Sequence, residues 1–180
     1  MRNVILLTLL AMFTLVPAWA VEDPRETADP GGFVEKATQD GMMEVTLGEM
    51  AQHKARSAQV KAFGAQMVKD HGSANAALAA IGQRKNLKVP VELDGEHRAV
   101  VQSLAAKTGA EFDGSYVSEM AAAHAKAVTL FIQATQGQDP DVAAFASRTL
   151  PTLRAHKQMA ESLKKALGRD SAAPTTDRRE

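Results

Sequence analysis

Four side chains that can hold a metal ion or share a proton, Glu44, His71, His124 and His156, fall near the middles of four successive amphipathic segments. Each lies on its segment's apolar stripe, where a carboxylate or imidazole is costly to bury unless it is paired or bound to a metal. Imidazole with carboxylate is a ligand set for zinc or iron, so the four are candidate ligands of one transition metal ion. Met67 and Met120 each precede a histidine by four residues, and Met159 follows His156 by three, which puts each pair on one helix face. Thioether beside imidazole is a copper-tolerant set, and copper joins zinc and iron as a candidate. The metal-free alternative is a structural polar layer in which Glu44 holds a protonated His71. Asp70 adjoins His71 but points about 100° away on a helix, which leaves it an outer or helix-end role. His53 and His97 lie near segment ends, off the main stripes.

The elements that must position these residues are helical almost throughout. The first helix is expected from Phe33 to Ala55, with Phe33, Ala37, Asp40, Glu44, Leu47 and Ala51 as its stripe. The second follows Ser57, a good N-cap, and carries Val60, Gly64, Met67, His71, Leu78 and Ile81 before fading at Gln83–Asn86. Leu87–Leu93, with Pro90, is an extended connection, and Asp94 caps a short helix through Leu104. Gly109 marks the end of that helix or a sharp bend. Thr108 with Glu111 has the capping-box spacing for the next long helix, which carries Phe112, Tyr116, Met120, His124 and Phe131 and fails at Gly137. Asp139-Pro140-Asp141 starts the last helix, with Phe145, Leu153, His156, Ala160 and Leu163 on its stripe and Pro151 expected to bend it. The core is expected to include Phe33, Leu47, Met67, Leu78, Phe131, Phe145 and Leu163.

Two tight turns and one long central crossover make the expected fold class all-α: a ferritin-like four-helix bundle with a long crossover containing a short helix. Placed by helical rise, Glu44 and His71 differ in depth by ~4–5 Å, and His124 and His156 by ~7–8 Å. The four can therefore meet in the same central layers.

Residues 1–20 read as a secretory signal peptide: Arg2, an apolar run from Val4 to Phe13, and Ala18-Trp19-Ala20 as the cleavage site. The apolar run is too short to span a bilayer, and no membrane span is expected in the mature chain. Residues 21–32 read as a flexible leader, 33–167 as the bundle domain and 168–180 as a disordered tail. The chain has no cysteine, which removes disulfides, thiol nucleophiles and Cys-type metal sites. Loss of the signal removes Arg2 and no acid, so 21 bases and 21 acids become 20 and 21. With no net positive field, nucleic acid is not an expected partner. No Gly-x-Ser-x-Gly elbow or phosphate-cradling glycine loop is present, and the reading leans away from an enzyme. A bacterial periplasm is the natural compartment.

Glu44-Val45-Thr46-Leu47-Gly48, Met67-Val68-Lys69-Asp70-His71, Phe112-Asp113-x-x-Tyr116, His124, Leu150-Pro151 and His156 occur in an order that resembles an exported bacterial family, domain of unknown function 4142. Its members are often labelled membrane or outer-membrane proteins. The resemblance spans about Phe33–Leu167 and implies a ferritin-like bundle in the periplasm or envelope. The family's Glu, Asp-His and two further His positions match Glu44, Asp70-His71, His124 and His156. It implies no biochemical function. The di-iron Glu-x-x-His spacing is not met, since Val68, Ala121 and Leu153 stand three residues before the histidines. Two functions compete on this reading: a periplasmic helical protein binding a transition metal at a central His/Glu site, and a structural or stress-related envelope protein whose polar layer only fixes helix register.

Overall fold

The computed structural model describes residues 29–172. The expected signal peptide and its cleavage site, the leader as far as residue 28 and the tail beyond 172 lie outside the described residues. Within them the chain forms five helices and no strand: α1 (Pro30–Lys54), α2 (Ala58–Lys85), α3 (Gly95–Ala105), α4 (Gly109–Thr135) and α5 (Pro140–Ala172).

Local chemistry sets most of the boundaries. Asp29 is extended and its Oδ2 accepts from Gly32 N at 3.1 Å, with Pro30 in the first turn. That cap starts α1 three residues ahead of the expected Phe33, so the Pro-Gly-Gly end of the supposed leader is helical. Ser57 caps α2 through Val60 N, and Asn86 ends it in the left-handed conformation while Leu87 N donates to Gly82 O at 2.9 Å. Asp94 caps α3 by accepting from His97 N at 2.9 Å. The chain then turns at Gly109, where φ is +58°, a backbone state that suits glycine. The expected capping box at Thr108 does not form. Thr108 makes no side-chain cap, and Lys107 takes Glu111 Oε1 at 2.6 Å instead. Asp139 Oδ1 accepts from Asp141 N and Val142 N, both at 3.1 Å, and α5 then runs on through Pro151 to Ala172. The first five residues of the expected disordered tail thus belong to α5.

The long helices pair as two antiparallel hairpins, α1 with α2 and α4 with α5. Contacts at the ends give the order of the bundle. Asp113, in the first turns of α4, accepts from Arg56 N at 3.0 Å and Ser57 N at 2.8 Å in the α1–α2 turn. Lys85, at the end of α2, pairs with Asp139 at 2.9 Å and Asp141 at 3.0 Å at the start of α5. The crossover from Asn86 to Thr108 therefore runs the length of the bundle. It is laced along α1: Gln39 bonds Glu92 O and Asp94 N, His97 meets Asp40, and Lys54 donates to Ala105 O. This is an all-α bundle with one long crossover.

α1 and α2 cross closely at Gly48 and Gly64. A Cβ on Gly48 would lie 2.6 Å from Gly64 O, and one on Gly64 would lie 2.7 Å from Gly48 O. The core falls into two apolar clusters. One gathers Phe33, Leu78, Ile81, Phe131, Phe145 and Leu153; the other gathers Leu47, Val60, Phe63, Met67, Tyr116 and Met120. The core residues expected from the stripes are buried except Leu163, which is partly buried at the edge of the second cluster. On α2, α4 and α5 the histidines fall between residues of one cluster and residues of the other. No described helix is long and apolar enough to cross a membrane.

Candidate metal centre

Each long helix contributes one buried polar residue to the layer between the clusters: Glu44 from α1, His71 from α2, His124 from α4 and His156 from α5. Their exposures are 1%, 6%, 0% and 3%, so the layer is sealed from solvent. The three imidazoles stand at the corners of a nearly equilateral triangle, with ring centroids 5.3, 5.4 and 5.2 Å apart. His71 Nε2 lies 3.3 Å from His124 Nε2, which lies 3.3 Å from His156 Nδ1. One nitrogen from each of the three rings lies within 4.8 Å of those of the others.

The far nitrogen of each ring is anchored outward. His71 Nδ1 meets Glu44 Oε2 at 2.9 Å, His124 Nδ1 meets Met120 O at 2.9 Å, and His156 Nε2 meets Asp70 Oδ2 at 2.9 Å. A carbonyl and a carboxylate only accept, so each of these nitrogens carries a proton. The three inward nitrogens are then lone pairs facing one another. One added proton satisfies one of the two 3.3 Å contacts and leaves the other as acceptor against acceptor.

Glu44, expected among the ligands, stands behind two of the rings rather than among the inward nitrogens. Its Oε1 is 3.3 Å from His124 Nδ1, but that proton is directed to Met120 O, and Oε1 has no hydrogen-bond partner. The shorter carbonyl contact is the hydrogen bond, and the carboxylate contact is purely electrostatic. Tyr116 Oη is likewise buried without a partner, and burial together with the Glu44 charge pushes its phenol up.

Burial alone would raise the Glu44 carboxyl, but His71 and His124 outweigh it and hold it below the usual carboxylate range. Burial lowers His71, and Glu44 more than reverses this, so His71 is raised. His124 is lowered by its burial, and His156 is pushed down to about 4 by burial and then by His124 and His71. Asp70 sits below its ordinary value: burial opposes, but bonds from Gln66 and His156 prevail. His124 and His156 thus resist taking up a second proton, and His71 is the ring whose hold on one is strengthened.

The stripes thus brought together the residues they singled out, and the structure adds one that they set aside. Asp70 joins the site because the His156 ring reaches it from α5, and the sequence signal was its place beside His71. Asp113, part of the Phe112-Asp113-x-x-Tyr116 motif, is a buried anchor for the α1–α2 turn. The methionine hint weakens: Met120 contributes its backbone carbonyl, and Met159 is 44% exposed. His53 takes no part, and His97 belongs to the crossover.

Comparison with known proteins adds family and fold. The family described as "Domain of unknown function (DUF4142)" matches residues 17–163. The solved chain titled "Crystal structure of DUF305 fragment from Deinococcus radiodurans" is similar with a TM-score of 0.66 and 17% identity, over 82% of this chain and 97% of that one. At that identity the likeness is one of fold. No curated protein matches. Neither finding carries a ferritin link, so the expected ferritin-like character comes down to the single-crossover connectivity.

Proposed function

The chain belongs to the DUF4142 family, and on that footing we propose that it is an exported, periplasmic helical protein that holds one transition metal ion at His71 Nε2, His124 Nε2 and His156 Nδ1. The carrying observation is three inward imidazole nitrogens with their opposite N–H groups already anchored. Metal–nitrogen bonds of 2.0–2.1 Å at tetrahedral angles put ligand nitrogens ~3.3–3.4 Å apart. Two of the three nitrogen separations are 3.3 Å, and the third is within 4.8 Å. Ligating histidines characteristically donate their other N–H to a carboxylate or backbone carbonyl, and all three rings have such a partner. Charge agrees as well. Glu44 and Asp70 each stand one hydrogen bond behind a histidine, and their two negative charges balance a divalent cation on neutral ligands.

In this reading Glu44 orients His71 rather than ligating. Three imidazoles suit zinc, iron or copper. The sealed position of the rings supports binding rather than turnover. The export signal supports the periplasmic location.

A second reading keeps one observation of its own: the 2.9 Å contact between Glu44 and a His71 raised by it is a complete buried ion pair without metal. Titration of the untagged, metal-stripped protein with Zn²⁺ separates the two. One equivalent bound by the wild type and by His53→Ala, with binding lost in His124→Ala, is expected. A folded wild type that binds none, or a His124→Ala protein that binds as well as the wild type, leaves the structural layer as the function.

A further inference from the structure

We propose that the metal reaches the three imidazoles from the open groove between α2 and α5, with Asp70 as the carboxylate that receives it there; this rests on the reading that the three histidines bind a metal. The other antiparallel helix pairs pack more closely. Gly48 and Gly64 bring α1 against α2, the crossover is laced along α1, and α4 and α5 pack as a close hairpin. Among the antiparallel neighbours, α2 and α5 touch most sparingly, and a groove of about 540 Å³ opens between them.

Two residues of the groove's lining touch the site. Phe63, in its lining, packs edge-on against His156 with centroids 6.4 Å apart. Gln66, also in the lining, donates to Asp70 Oδ2 at 2.5 Å, and the same oxygen accepts from His156 Nε2 at 2.9 Å. His156 is therefore a one-ring wall: Nε2 faces Asp70 and Nδ1 faces the cluster. Of the two carboxylates behind the histidines, Glu44 is sealed, with a side chain 2% exposed, whereas that of Asp70 is 23% exposed. Asp70, one hydrogen bond behind the lining residue Gln66, is thus the carboxylate of the two that a hydrated cation can reach, and its oxygen can replace one of the cation's waters. The wall stands on the helix that carries Pro151, which lacks the amide that would bond the carbonyl four residues back. The backbone below His156 is thereby easier to displace than an unbroken helix.

The test is stopped-flow association of Zn²⁺ with the metal-stripped full-length protein, read by competition with a chromophoric indicator. Asp70→Asn keeps a side-chain acceptor for His156 but removes the charge, and it should slow association about tenfold, within the range of electrostatic effects on on-rates. Ala62→Trp, in the groove lining and remote from the ligands, should slow association and release alike and leave the affinity unchanged. Circular dichroism confirms that each variant folds. Association at the wild-type rate in both variants overturns the route, and so does an Asp70→Asn effect confined to release, which marks Asp70 as a residue that only orients His156. A wild type that binds no Zn²⁺ overturns the metal reading itself, which is a different result from either.

Discussion

At the scale of single residues, each imidazole of the cluster has two different sides. One nitrogen is fixed outward by Glu44, Met120 or Asp70, and this leaves the other as a lone pair in the centre. Binding a cation there competes with a proton on His71, whose affinity for it Glu44 raises above the ordinary histidine value of 6.5. Metal affinity should therefore begin to fall at a higher pH than for unperturbed histidines, and weaken further as the pH drops. Calorimetry in buffers of different ionisation enthalpy should find protons released on metal binding, and more of them as the pH falls. Release of none anywhere in the histidine range would contradict this coupling. Asp113 is a second residue with a defined task. Asp113→Ala strands two backbone amides and should cost about 1–3 kcal/mol for each one left unsatisfied, read by urea denaturation.

At the scale of elements, the crossover is held to α1 by a histidine between two carboxylates. His97 Nε2 lies 3.0 Å from Asp40 and Nδ1 2.8 Å from Asp94. Asp40 raises its pKa against the effect of burial, with help from Asp94, from 6.5 to about 9. A raised histidine contributes stability that is complete below the unfolded value and is lost as the pH rises through the folded one. The attachment of α3 should therefore weaken between pH 6.5 and about 9, and His97→Gln should flatten that part of the stability profile. A profile equally steep in the variant would place the dependence elsewhere. The α1–α2 crossing makes a sharper contrast. Gly64→Ala drives a methyl group into Gly48 O and Ala51 and should cost about 1–3 kcal/mol. Gly114→Ala, in α4 with open space around it, should instead stabilise by about 0.5–1 kcal/mol.

At the scale of the whole molecule, the apolar stripes made the helices legible, and the polar residues on them made the site legible. Glu44, His71, His124 and His156 stand on largely apolar stripes at similar depth, so periodicity and depth together nominate them. Periodicity could not show that Glu44 turns to the outer nitrogens, because that depends on side-chain rotation. Nor could it bring in Asp70, because a helical wheel separates neighbours by about 100° and takes no account of a ring reaching over from α5. The boundaries that differed follow the same logic: Asp29 and Pro30 start a helix that the following glycines disguise, and Lys107 competes for the Glu111 that a capping box needs. The polar layer separates two apolar clusters, so stability and binding are linked. Leu78→Ala in the first cluster should cost about 2–5 kcal/mol, and saturating metal at a hundred times Kd should return about 2.7 kcal/mol of stability.

The most direct measurement of the central claim is X-ray absorption spectroscopy on the untagged full-length protein purified from cells, with total metal determined on the same sample. About one transition metal per chain is expected, with three imidazole ligands at ~2.0–2.1 Å. In His124→Ala the metal should be absent while the helices remain. A folded wild-type protein that carries no metal and takes none up, or a metal whose ligands include no imidazole, would contradict the account.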